Sequence, residues 1–309
     1  MNKKLLNLGR VILAVVILVL IFRELNLDRL LQVIFQIKIE FLCLAMASYF
    51  FMNVSNAYRL CRAFEKLGHK IRLSRMIGIQ FFGMLLSDFT PGRAGYLGLS
   101  HILKKERKIN VKDSISVLLT IQAIEFLVKV GVSLLALAYL VSLIGGNVDL
   151  KALIAGVLFL LLCGFGFLFL MWKENKFISK ILVKLPYGKK LNKLFEEFKR
   201  ASREMRNLLF LIASFSILGW IIRGFEWYFL SISVNLGFSF LTALMLQPLL
   251  TTIRFIPLTP AGLGIYEGSI IVILSFLGIS PETTLIFSFL DRIDNLIVDL
   301  IGLKELRNV

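Results

Sequence analysis

Residues 87–98 read SDFTPGRAGYLG, and residues 256–268 read IPLTPAGLGIYEG. Each couples a Thr-Pro pair to closely spaced glycines, carries a charge, and interrupts a long apolar stretch. Proline removes a helix donor and glycine frees the backbone, so both loops break helices. In a bilayer such irregular backbone is tolerated only where it is buried in protein or lines a cavity.

The surroundings justify reading the chain against a bilayer. The 309 residues are 57% hydrophobic with mean hydropathy +0.80. Apolar runs of roughly 18 residues or more recur along the chain, which predicts an all-α polytopic membrane protein. Spans are expected near 8–22, 39–58, 114–144, 150–172, 208–233 and 281–303, with two broken regions at 73–103 and 239–277. Cys43, Cys61 and Cys163 stand singly and His69 and His101 lie far apart, so neither a disulfide framework nor a metal site is expected. The N-terminal run lacks a small-residue cleavage site and reads as an uncleaved first span.

The net charge of +16 would suggest nucleic acid in a soluble chain, but here the basic residues crowd particular loops. Segments 1–10, 59–75, 104–112, 173–206 and 304–309 hold 3, 6, 5, 11 and 2 Lys or Arg; the remaining connections hold 4 in all. The positive-inside rule therefore places both termini and 173–206 in the cytoplasm of a multi-pass cell-membrane protein. Within 173–206, Leu191, Leu194, Phe195, Phe198, Ala201 and Met205 form an apolar stripe. It suits either an interfacial helix or a solvated helical linker. Region 73–103 begins and ends among basic loops, and 239–277 among poor ones, so each crosses an even number of times. Their second arms are too short for a core of about 30 Å. Two re-entrant hairpins entering from opposite sides are expected beside the six spans.

The halves repeat. Leu67-Gly68 precedes Thr90-Pro91 by 21 residues, and Leu236-Gly237 precedes Thr259-Pro260 by 21; KINV at 108–111 then falls on GISP at 278–281. Residues 1–144 and 145–309 are thus expected to form an inverted-topology repeat, with both loops meeting at a central midplane site.

Short helices beginning near Tyr96 and Ile265 would point free N–H groups at that site, a seat for phosphate or carboxylate. Arg93 lies in the first loop and Arg254 just ahead of the second. Each either contacts such a ligand or closes an internal salt bridge, Arg254 with Glu267 for example. Glu125 has Lys129 at i+4, and Arg223 has Glu226 at i+3, the spacing of helix pairs. Arg292 shares a face with Asn295 and Asp299, either as a static network or as a proton path. HExxH, GxSxG and P-loop motifs are absent, and no enzyme activity is expected.

TPGRAGYLG, PLTPAGLGIYEG and the Asp291-Arg292 pair together resemble the integral-membrane flippase-like family that includes the membrane part of lysylphosphatidylglycerol synthases. The resemblance covers almost the whole chain. It implies membrane-embedded helices and, in fused members, movement of an aminoacylated phospholipid between leaflets. By similarity Pro91, Arg93 and Gly95 match the first motif, and Pro260, Gly262, Gly264, Glu267 and Arg292 the second. Departures are Tyr96 where the family usually has Glu, and Gln122 where it has Arg, while Glu125 falls at an expected acid. Fused members carry a soluble aminoacyl-transferase domain; this chain ends at Val309 without one, so lysyl-lipid synthesis is not expected of it.

The expectation is a lipid translocase without cofactors. Its ligand would be a membrane phospholipid or polyprenyl-phosphate-linked lipid, held by Pro91, Arg93, Gly95, Glu125, Arg254, Gly262, Gly264, Glu267 and Arg292. The alternatives are a lipid-modifying membrane enzyme and a non-transporting partner of a glycosyltransferase or lipid synthase.

Overall fold

The computed structural model describes residues 3–23, 25–144, 205–252, 259 and 262–308, whose regular secondary structure is all helical. Ten α-helices follow in order among them: α1 Lys3–Arg23, α2 Leu27–Phe35, α3 Ile39–Lys66, α4 Leu73–Asp88, α5 Leu99–Arg107, α6 Val111–Ile144, α7 Leu209–Ser233, α8 Phe240–Thr252, α9 Ile265–Ser275 and α10 Pro281–Asp299. Tight 3-10 turns cover Pro91–Gly98, Met205–Leu208 and Leu300–Asn308. The expected span 150–172 and most of the basic segment 173–206 lie outside the described residues.

Among the described residues, two helices are long and apolar enough to cross a membrane, Val111–Leu143 and Met205–Ser233. The pair α2 and α3, bent by 79° at its break, makes a third if counted as one span. The Asn26 side chain caps the N–H of Arg29 at 3.1 Å and starts α2, and the break itself falls at residues 36–38, where the Lys38 N–H donates to the carbonyl of Ser233 at 3.0 Å. α5 and α9, with 9 and 11 residues, rise only about 14 and 17 Å at ~1.5 Å per residue, well short of a hydrocarbon core of about 30 Å.

Helix boundaries follow the sequence landmarks. α3 ends where Gly68 takes φ +84° and the N–H of His69 returns to the carbonyl of Phe64 at 2.9 Å, a left-handed cap. α6 and α10 open at Val111 and Pro281, the residues that close the aligned KINV and GISP tetrapeptides. Just before them Lys108 and Gly278 both take positive φ, 55° and 75°. One boundary moves: the helix expected near Tyr96 begins at Leu99, because the residues after Thr90 wind as a 3-10 turn.

Two apolar clusters form the interior. One gathers Leu60, Phe64, Met76, Ile79, Phe81, Leu99, Ile102 and Leu118 from α3 to α6. The other gathers Trp227, Leu230, Leu246, Tyr266, Ile270 and Phe287 from α7 to α10. α3 and α7 make the most extensive helix contact and join the two. Glycines allow the closest approaches. A Cβ on Gly224 would stand 2.5 Å from Leu244 Cδ1, and one on Gly302 would stand 2.3 Å from the backbone nitrogen of Phe82.

Candidate functional site

A cavity of about 100 Å³ is lined from α3, α4, α6, α7, α8 and α10. Polar groups in its wall include Asn56, Arg59, Gln80, Gln122, Glu125, Lys129, Ser216, Arg223, Gln247 and Asn295, with apolar lining from Met52, Met84, Ile121 and Trp220. Tyr96, from the turn after the first Thr-Pro, also reaches this wall and donates its hydroxyl to Gln80 Oε1 at 2.6 Å. Gln80 Nε2 in turn donates to Asn53 Oδ1 at 3.0 Å, which fixes the orientation of the amide.

Arg59 is the centre of the charged wall. The basic loop expected over 59–75 does not begin at this residue: α3 runs on to Lys66 and buries Arg59 to 2% exposure. Its guanidinium donates to Ser216 Oγ at 2.8 Å and to Glu125 Oε2 at 2.9 Å. Lys129, the i+4 neighbour of Glu125, binds its other carboxylate oxygen at 2.8 Å. Nε of Arg59 is buried and has no hydrogen-bond partner. Two cations thus share one carboxylate at the cavity wall, and one of their donors is unspent.

Arg223 supplies a second cluster. It pairs with Glu226, as the i+3 spacing suggested, but also reaches across to α10, donating to Asn295 Oδ1 at 2.8 Å and Asp291 Oδ1 at 3.3 Å. Its guanidinium lies 5.2 Å from the centre of the Tyr49 ring, within cation–π range. Trp227 and Tyr266 donate to Asp291 at 3.0 and 2.7 Å, and Tyr49 donates to Asp299 at 2.9 Å. Carboxylate oxygens of Glu226, Asp291 and Asp294 lie within 4.8 Å of one another, a grouping no sequence spacing revealed.

The residues expected to bind a ligand separate into three groups. Glu125 lines the cavity. Glu267 and Arg292 do not. Fully buried Glu267 accepts the N–H of Gly264 at 2.7 Å and pairs with Arg292, whose guanidinium lies 5.1 Å from the Tyr266 ring centre. The start of α9, expected to point free donors at a lipid anion, is therefore capped by the chain's own carboxylate. Glu267 takes Arg292 as its partner, and Gly262 and Gly264 hold positive φ at that cap. The first loop closes on itself too: Gly95 N–H donates to Thr90 Oγ1 at 2.6 Å, and a Cβ on Gly95 would lie 2.2 Å from the carbonyl oxygen of Leu86. Pro91 opens that 3-10 turn. The Arg93 side chain and the whole of Arg254 lie outside the described residues.

Arg59 and Ser216 line the cavity without having been expected there. Asn53, Asn56 and Arg59 recur at i, i+3 and i+6 within an apolar helix, and that polar stripe was the available clue.

The described residues form a helical fold with a charged cavity lined by six of its helices. The lysylphosphatidylglycerol synthase transmembrane-region family matches residues 7–302, and the chain belongs to that family. It is also 28% identical over 202 residues, 62% of this chain and 79% of the other, to a UPF0104 membrane protein of Methanocaldococcus jannaschii.

Proposed function

We propose that this protein is a lipid translocase whose central cavity takes the phosphate of an anionic phospholipid or polyprenyl-phosphate-linked lipid. The observation that carries the reading is the unspent Nε of buried Arg59 at a cavity wall that also holds Lys129. A buried guanidinium donor without a partner costs on the order of 1–3 kcal/mol, and a phosphate oxygen admitted by a shift of the side chain toward the cavity would recover it. Glu125 then acts as the internal counter-charge that offsets one of the two positive charges of Arg59 and Lys129 between ligands.

The cavity is smaller than the roughly 300–1,000 Å³ of ordinary ligand pockets. It fits a compact anionic group, and passage of a whole headgroup requires the helices to part. The short helices α5 and α9, each following a Thr-Pro loop, support two re-entrant hairpins, and the paired left-handed residues Lys108 and Gly278 support the internal repeat. Six spans, an inverted second half and cytoplasmic termini complete this reading.

The test is mass spectrometry of lipid retained in mild detergent. Wild-type protein should carry phosphate-bearing lipid. Arg59→Lys, which keeps charge but loses the planar fork, should carry much less, and Arg59→Gln least. Equal lipid per folded molecule in all three would remove the cavity from headgroup binding. A metal-dependent lipid-modifying enzyme is the second reading, favoured by the convergence of Glu226, Asp291 and Asp294. It requires retained lipid to change mass on incubation with metal.

A further inference from the structure

The carboxylates of Glu226, Asp291 and Asp294 are all fully buried, and one oxygen from each lies within 4.8 Å of the others. Asp294 is the informative member. Its Oδ1 accepts the N–H of Asn295 at 2.6 Å, while Oδ2 is buried with no hydrogen-bond partner. An ionised oxygen in that position is expensive unless something positive meets it. We propose that these three carboxylates bind a hard cation of about Ca²⁺ size, directly behind the headgroup cavity.

Donor type, oxygen spacing and the position of Arg223 set the chemistry. The donors are all carboxylate oxygens from α7 and α10, without sulfur or imidazole, which selects Ca²⁺-, Mg²⁺- or Na⁺-like ions over Zn²⁺. Oxygens on one Ca²⁺ at ~2.3–2.6 Å can stand up to about 5 Å apart, whereas Mg²⁺ at ~2.0–2.1 Å limits them to about 4.2 Å. Oxygens held within 4.8 Å of one another fall inside the pairwise limit for Ca²⁺. Finally, Arg223 already occupies one side of the cluster, bound to Glu226 and Asp291, and it also lines the cavity.

That last contact gives the site a role, which rests on the headgroup reading above. A cation on Glu226 and Asp291 competes with Arg223 for the same oxygens and turns its guanidinium toward the cavity. A bound phosphate then meets a stronger positive wall. By linkage, the cation raises headgroup affinity and the headgroup raises cation affinity by the same factor.

The experiment is a Ca²⁺ titration of purified, chelator-treated protein in detergent, read by calorimetry and by thermal stability, with Mg²⁺ and Na⁺ in parallel. The expected result is saturable Ca²⁺ binding at one site per chain, weakened at least tenfold in Asp294→Asn. Glu226→Gln serves as the second variant if Asp294→Asn does not fold. Absence of saturable binding at millimolar Ca²⁺, or equal binding in a folded variant, overturns the site. Stabilisation that follows pH alone, without dependence on Ca²⁺, also overturns it, since protons would then neutralise the cluster. Retention of anionic phospholipid is measured on the same samples. Ca²⁺ binding with no retained lipid under any condition would refute the headgroup reading and leave the cation site standing.

Discussion

The pair Glu267 and Arg292 distinguishes a scaffold role from a ligand role for the second Thr-Pro loop. Glu267 is fully buried, with one oxygen on the N–H of Gly264 and the other on Arg292. Glu267→Gln keeps the shape but removes the charge from both contacts. Charge-assisted hydrogen bonds contribute about 1.5–3 kcal/mol, and breaking one partner of a buried ion pair costs roughly 3–5 kcal/mol. The Arg292 side chain retains 18% exposure, which lowers the cost below the fully buried figure, to about 2–3 kcal/mol. Arg292→Met should cost a similar amount by leaving the carboxylate with only its cap. Because both changes remove one shared interaction, the double variant should be less destabilised than their sum by about 1–3 kcal/mol. Equilibrium unfolding in mixed micelles measures all four corners of the cycle. Additivity within ~0.5 kcal/mol would refute the pairing. Loss of bound lipid in Glu267→Gln at unchanged stability would return Glu267 to the binding site.

Three further outcomes follow from geometry and charge. Gly95→Ala places a methyl 2.2 Å from the carbonyl oxygen of Leu86, and should destabilise by about 1–3 kcal/mol, read as a lower thermal midpoint. Gly302→Ala sets its methyl against the backbone of α4 at Phe82, and should cost a similar ~1–3 kcal/mol, with weaker docking of the C-terminal turn seen as faster proteolysis near Leu303. Cysteines placed at Asn2, Asn192 and Asn308 should be labelled by a membrane-impermeant reagent only after permeabilisation; labelling at Asn192 in intact cells would defeat the inverted arrangement.

Local chain chemistry made the fold's punctuation legible. Pro281 and the tetrapeptides KINV and GISP marked the starts of α6 and α10, and Gly68 marked the end of α3, because each signal acts through the backbone of its own few residues. Pairs on one helix, Glu125 with Lys129 and Arg223 with Glu226, were legible for the same reason. Contacts between helices were not. Arg59 looked like the first residue of a basic loop, and only its packing against α6 and α7 makes it a cavity residue. The N-terminus of α9 reads as an open anion seat, and only the fold shows that Glu267 takes the Gly264 N–H from within the same turn. The Glu226, Asp291 and Asp294 cluster joins residues about 65 positions apart in sequence, and no motif spacing announces it.

The central claim, lipid movement through the Arg59 cavity, is tested most directly in proteoliposomes carrying a fluorescent anionic phospholipid whose outer-leaflet label is quenched by an impermeant reductant. Wild-type protein should expose the inner-leaflet label to the reductant. Arg59→Gln, reconstituted to the same amount and folded by thermal melt, should leave it protected as in protein-free vesicles. Equal exposure with wild type and Arg59→Gln, or none with either, would contradict the account.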